Sequence, residues 1–586
     1  MNRYSKERPS HQPRGVALIT GLLISVLVLL VALVFLGVSM RESSISSNAA
    51  NATRAFYAAE AGLESGFVSL RGLLASGPPT SGQLAAIAAP VLTSPSLSQF
   101  NIALAVAQPR PAYNTTIDRG ASRGLRATVT DYEVTATATG PRGTQVLLAQ
   151  TVRYLRIPLF QFGVFYGRGV DLEIYAGPRM TFNGRIHANS DVYVADDGDH
   201  VNDLLYVDSY LTAAGNIYRR RKDEEAASLT SRYNNTRIMD GSGNYQALDF
   251  DRQVKNISND GSSWEAGSLD AWKQTALQRF GGKVLDGALG AQEIVPPVPD
   301  LFYNPSNPDT IAHRMIERGL SGDSTQMQSD KLYYKADLTI IDGIAKTKSG
   351  ASVDLAGCTG GDPLSTDSFT DAREGKTVTV RQVKISKLNG CTNRTVDGGV
   401  SVASGSLIVY VADTGSDRGV RLTDGGTLGR DLTIVSEDPV YVLGDYNKTD
   451  KRAAAILADA VTILSNKWAS ADYDAVADQD KSKRKAGDTE VNAAIATGPA
   501  YESSPGQGNG EMNNLPRFLE DWSGKTLKYR GSLVALWHST RATGLWNGNY
   551  YTPPNRDWAY DTLFDTTQPP GMLSGIQIAK GPWVKK

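Results

Sequence analysis

Few residues in this chain could do chemistry, and they are scattered. Of its five histidines, His187 sits in Gly184-Arg185-Ile186-His187, a strand-rich block where a packed or hydrogen-bonded ring is the ordinary outcome. No order of Ser, His and Asp suited to nucleophilic catalysis can be picked out. No phosphate-binding loop or dinucleotide fingerprint occurs, and Asp424-Gly425-Gly426 reads as a turn. Asp196-Asp197-Gly198-Asp199 with Asn202 and Asp203 could gather oxygen ligands for calcium. Their spacing misses that of an EF-hand loop, so a solvated loop is the plainer reading. The residues therefore lead us to expect no enzyme, no cofactor and no bound metal.

Charge points to local sites at most. With 60 basic and 61 acidic residues, the chain exerts no global pull on nucleic acid. Two basic runs could still meet phosphates: Arg219, Arg220, Arg221 and Lys222, and then Lys481, Lys483, Arg484 and Lys485. Asp223-Glu224-Glu225 partly cancels the first, and solvated loops would explain both. Aromatic residues from Trp546 to Trp558 could stack on single-stranded bases, though burial is their commoner fate.

The elements that must carry these residues begin with Val16 to Val38, which holds no charged residue. As a helix it would be roughly 35 Å long, enough for a hydrocarbon core of about 30 Å. Arg3, Lys6, Arg8 and Arg14 precede it and favour a cytoplasmic N-terminus. A secretory signal would place its small residues after the apolar run. Here Gly15 stands before it, so cleavage between Gly15 and Val16 would remove only the leader. From Ile45 onward Ala49, Ala52, Phe56, Ala59, Leu63, Phe67, Leu70 and Leu74 continue one apolar stripe in steps of three and four. Gly72 and Gly77-Pro78-Pro79 predict its end.

Arg14-Gly15-Val16-Ala17-Leu18-Ile19, followed by Ala55-Phe56-Tyr57-Ala58-Ala59-Glu60-Ala61-Gly62-Leu63, resembles the N-terminus of type IV pilin-like proteins, and PilX-like minor pilins above all. The resemblance implies prepilin peptidase cutting at Gly15–Val16, a precursor crossing the bacterial inner membrane once, and later assembly with other pilins and minor pilins. Major pilins carry Glu at the fifth mature position, where its carboxylate is thought to neutralise a neighbour's terminal amine. This chain has Thr20 there. A subunit with nothing above it needs no such partner for a buried charge, which favours a tip position. In an exported chain the isolated pair Cys358 and Cys391 reads as one disulfide, with two buried thiols as the alternative.

Beyond the helix, strands are expected at Asn101 to Ala107, Leu125 to Ala138 and Thr144 to Ile157. The second alternates in one phase at Leu125, Ala127 and Val129 and in the other at Val134, Ala136 and Ala138, suggesting a bulge or bend at Asp131-Tyr132. Short β-rich pieces with Gly and Asn corners fill Gly163 to Val194 and Gly405 to Gly444. Ser268 to Phe280 and Arg452 to Trp468 are expected as helices.

The predicted class is α+β: a long pilin helix with an antiparallel sheet, plus a large inserted β-solenoid-like head, a β-sandwich being the alternative. The segments are a leader (1–15), the transmembrane and amphipathic helix (16–75), a β domain (76–158), the head (159–570) with a polar insertion near 219–332, and a return strand (571–586). Pieces such as Asn183 to Val194 and Asp438 to Asn447 resemble a domain of large bacterial pilin-like proteins, including competence-linked minor pilins. The resemblance implies a subunit at or near the tip of a type IV pilus, its extracellular head binding a ligand such as DNA during natural transformation. The alternative is a membrane-anchored β-solenoid enzyme or binding protein acting on surface polysaccharide.

Overall fold

A computed structural model describes residues 14–75, 77–176, 179–196, 205–219, 221–222, 236–248, 269–295, 310–476, 480–502, 512–546 and 549–586. One helix, Arg14–Leu74, runs unbroken for 61 residues. It is long and apolar enough to cross a membrane. Past Leu74, Gly77 turns the chain away at φ 109°, a conformation open to a residue without Cβ.

The buried face of this helix differs from the expected stripe. Ile45, Ala49 and Ala52 stay exposed, while Ala55, Ala58, Ala59, Gly62, Leu63, Gly66, Leu70 and Leu74 are buried. The contact is built from the smallest residues because the helix lies almost on the sheet. A Cβ on Gly62 would come within 2.9 Å of Ala136 and Ile102, and one on Gly66 within 2.8 Å of Val134.

The sheet behind the helix is antiparallel in the order Asn101–Ala107, Arg126–Thr139, Gln145–Pro158, Ser574–Lys585, with Tyr113–Thr116 beside the second strand. The expected bulge at Asp131-Tyr132 is absent. Pairing runs without a shift from Thr128↔Arg156 to Thr139↔Gln145. The phase changes because the strand changes its buried face. Tyr132, Val134, Ala136 and Ala138 pack against the helix, whereas Leu125, Ala127 and Val129 pack on the other side, into the head. The irregularity lies instead in the last strand, between Lys580 and Trp583. There Pro582, with Lys580 and Lys585 nearby, blunts an outer edge that would otherwise invite another strand.

The head is inserted between the neighbouring strands Gln145–Pro158 and Ser574–Lys585. Its chain alternates between sheets in a solenoid-like path. Leu407–Ala412, Leu432–Ser436, Ala454–Ala458, Thr489–Ala496 and Thr526–Ala535 pair in parallel in the main sheet. Arg418–Thr423, Val440–Leu443, Val461–Leu464 and Pro516–Phe518 pair in parallel in a second. The earlier segment supplies Phe162–Tyr166, Arg185–Ala188 and Leu211–Ala213, which extend the same main sheet through Leu533↔Val164. Two stretches far apart in sequence thus make one stack.

Arg452 to Trp468, expected as a helix, forms the strands Ala454–Ala458 and Val461–Leu464 and a short helix, Trp468–Ala471. Ala454, Ile456 and Ala458 fill the core inside the coil while Ala455 and Leu457 fill the core outside it. A strand buried on both faces loses its visible alternation, and its alanines then mimic a helix. The other expected helix is present as Leu269–Arg279.

If close approach sets the helix–sheet contact, Gly66→Ala should destabilise it by about 1–3 kcal/mol through overpacking. Gly72→Ala, with nothing within 4 Å of the new Cβ, should be neutral or mildly stabilising. Hydrogen exchange of the helix amides between Ala55 and Leu74 in the detergent-solubilised chain distinguishes the two.

Candidate binding and assembly sites

Gly15 and Val16 lie in the first turn of the long helix. Thr20, the fifth residue after that junction, donates its hydroxyl proton to the Val16 carbonyl one turn back. Its polar group is therefore satisfied within its own helix. Residues 1–13 lie outside the described residues.

Cys358 and Cys391 are joined by a disulfide with their Cα atoms 4.6 Å apart. The bridge sits among Leu355, Leu388 and Val396 in the end of the head's core, where it ties the loop at Cys358 to the short helix Ile385–Asn389.

The two basic runs do not present rows of cations. Arg219 is buried. Arg221 places its Nε 3.3 Å from Glu173 Oε1 and its guanidinium 4.5 Å over the Tyr175 ring. Lys222 Nζ stands 2.9 Å from Glu502 Oε2, and Arg220 lies outside the described residues. In the second run Lys481 reaches the Tyr551 carbonyl at 3.4 Å, Lys483 is exposed and Lys485 pairs with Asp521. Arg484 is fully buried, donating to the carbonyls of Val476 at 2.5 Å and Thr370 at 3.4 Å beside the Trp468 ring. Their acidic partners lie far away in sequence, so a local reading of charge missed them.

His187 is buried, with Nδ1 2.8 Å from Thr212 Oγ1 and Nε2 3.1 Å from Asn189 Oδ1. Burial lowers its pKa to about 4, against the Asn189 bond, so it stays neutral and structural. The possible calcium loop falls on 197–204, outside the described residues apart from Asp196.

The most chemistry-like cluster was not legible in the sequence, because its members lie up to 227 residues apart. His313 Nε2 is 2.9 Å from Asp459 Oδ1 and Nδ1 is 2.9 Å from Glu317 Oε1. Ser539 and Thr540 are also present, but Ser539 Oγ donates to Asp459 Oδ2 at 2.5 Å, while Thr540 Oγ1 lies 3.2 Å from His313 Nε2. Asp459 accepts the amides of Thr540, Arg541 and Ala542 as well. Burial opposes the charge on His313, but Asp459 and Glu317 outweigh it and raise its pKa to about 9. A cationic, buried ring is poorly suited to act as a general base at neutral pH. What this cluster can do is clamp the segment at 310–317 and the loop at 539–542 onto the corner of the main sheet.

A histidine whose pKa rises on folding stabilises fully below its unfolded value of 6.5 and loses that contribution as pH climbs through about 9. Calorimetry should show the wild-type head weakening by about 3 kcal/mol across this window. His313→Gln should be less stable at pH 6 and lack that part of the slope; an identical slope would overturn this reading.

Residues 14–64 match the PilX N-terminal family model. No curated protein matches the chain. Among solved structures it is similar to the competence-associated pilin ComZ from Thermus thermophilus, with 12% identity over 91% of this chain and 98% of that one, at a TM-score of 0.26. So distant a superposition transfers no residue roles. The PilX N-terminal match covers the first part of the long apolar helix, whose later turns lie against the antiparallel sheet.

Proposed function

We propose that the protein serves at or near the tip of a type IV pilus, where it holds its head out to bind a ligand, DNA during natural transformation, without enzymatic activity. One observation carries this reading. Both junctions of the head leave the same end of the stem sheet, at Pro158 and Ser574, which pair with each other. At the opposite end, toward the membrane-spanning part of the helix, Arg142 reaches Ser47 at 3.4 Å. The head thus stands on the membrane-distal end, where it would obstruct a subunit stacked above. Thr20, without a carboxylate, fits the same position. Its partners on this reading are prepilin peptidase, the inner membrane before assembly, and other pilins and minor pilins.

Two measurements test it. Mass spectrometry of the mature chain from its host should find Val16 as the first residue; Met1, or a start beyond Val38, would remove the pilin reading. Immunogold labelling with an antibody to the head should mark filament ends. Regular labelling along the shaft would overturn the tip position, and unlabelled filaments would overturn assembly into the pilus.

A further inference from the structure

The earlier coils of the head carry a surface that the two sequence-local basic runs did not suggest. Met180–Phe182, Leu205–Val207 and Thr236–Met239 form a parallel sheet, closed on one side by the antiparallel strand Tyr245–Ala247. Met180, Phe182, Leu205, Val207 and Ile238 are buried in the coil's core. By the two-residue alternation of strands, Thr181, Tyr206 and Arg237 share the outer face. They are also in register, Thr181↔Tyr206↔Arg237, so they form one row across the sheet.

Aromatic rings and guanidiniums are paired along this face. The exposed Arg179 lies 4.5 Å over the Tyr206 ring. Tyr245, 41% exposed, sets its ring 4.9 Å from that of Tyr206 at 78°. Thr181 also lines a small cleft beside Trp558, but that ring packs against the head's core with Arg556 over it and is not part of the exposed face. The nearby carboxylates are engaged. Asp208 accepts the Tyr245 hydroxyl at 2.5 Å, and Asp240 accepts the amides of Ser242 and Asn244 and the side chain of Gln246. The surface therefore combines two neighbouring tyrosine rings with a cation, Arg179, over one of them.

The geometry points to this outer face, centred on Arg179, Tyr206 and Tyr245, as a binding platform for single-stranded DNA. Two requirements of such a ligand are met together. Bases stack on aromatic rings or guanidinium planes without regard to sequence, at about 1–3 kcal/mol per base. A guanidinium stacked on a ring keeps its edge donors for phosphate oxygens. A duplex would offer the phosphates but hide its base faces, so the tyrosines favour a single strand. The inference rests on the proposed DNA-binding role and locates it.

The test uses the full-length protein in detergent micelles and a fluorescent oligothymidylate, with the matching duplex and the acidic polysaccharide alginate as competitors. The wild type should bind the single strand more tightly than the duplex, with an affinity that falls steeply with salt. Arg179→Gln/Tyr206→Ala/Tyr245→Ala should weaken single-strand binding at least tenfold and narrow the gap to duplex. Tyr206→Phe, which keeps the stacking face, should bind like wild type and guards against a folding artefact. Wild-type binding that the triple variant retains would overturn this site while leaving the DNA reading intact. Absence of wild-type binding to either DNA form would overturn the DNA reading itself. Displacement by alginate in preference to DNA would reassign the face to an acidic glycan and overturn the proposal.

Discussion

The molecule depends on a parallel sheet that has to be buried on both faces. Along Ala454–Ala458 the residues alternate between a core inside the coil and a core outside it, and Leu432–Ser436 is buried throughout. A solenoid-like coil covers only the inner face of its own sheet. The outer face, with Ile408, Tyr410, Val435, Leu457 and Val534, needs a separate cover. Met315, Ile316, Leu332 and Ala336 supply part of it, and Phe160, Phe564 and Leu573 another part. The membrane-distal half of the stem sheet supplies the rest through Leu125, Val129, Leu155 and Ile157. Head and stem therefore share one hydrophobic core, in addition to two chain crossings.

The covering segments lack the continuous backbone pairing that holds the stack, and charge pins them at its corner. Arg318 donates to Glu437 from both its backbone amide, at 2.8 Å, and its Nε, at 2.7 Å. Arg541 meets Asp438 at 2.8 Å and Glu437 at 2.9 Å. Burial nonetheless pushes Asp438 up to about 6, against the pull of Arg541. Buried pairs of this kind return little net stability after desolvation, but they penalise a misplaced partner heavily. At a joint between two modules, their value would be in fixing one geometry. The carboxylates that line up along this corner, Glu437, Asp438 and Asp459, are all taken up in that work.

The stem solves a related problem with size. Gly62 and Gly66 let the helix backbone approach the sheet, and larger residues at the margins, Phe56 and Phe67, close the seam. The helix is thereby held against a sheet that also roots the head. A load on the head would pass through two neighbouring, hydrogen-bonded strands, Gln145–Pro158 and Ser574–Lys585, into the sheet that carries the helix.

What the sequence determined by itself was what short-range chemistry dictates. An uncharged stretch of membrane length, a helix stopped by Gly77 and prolines, and the residues around Gly15 and Phe56 are all read from neighbours in the chain. The α+β class followed from the change of texture after the helix. Three matters were decided only in three dimensions. The phase change at Asp131-Tyr132 reflects a second covering layer rather than a bulge, since alternation records which face is buried and not what buries it. The stretch around Ala454 to Leu464 looked helical because burial on both faces erases the polar half of a strand's pattern. The acidic partners of the basic runs, Glu173, Glu502 and Asp521, are brought close only by folding, so no local reading of charge could show them. The Arg179–Tyr206–Tyr245 face shows the converse: residues unremarkable in sequence become neighbours because Leu205–Val207 pairs in parallel with Met180–Phe182 and Thr236–Met239, and the antiparallel strand Tyr245–Ala247 closes that sheet.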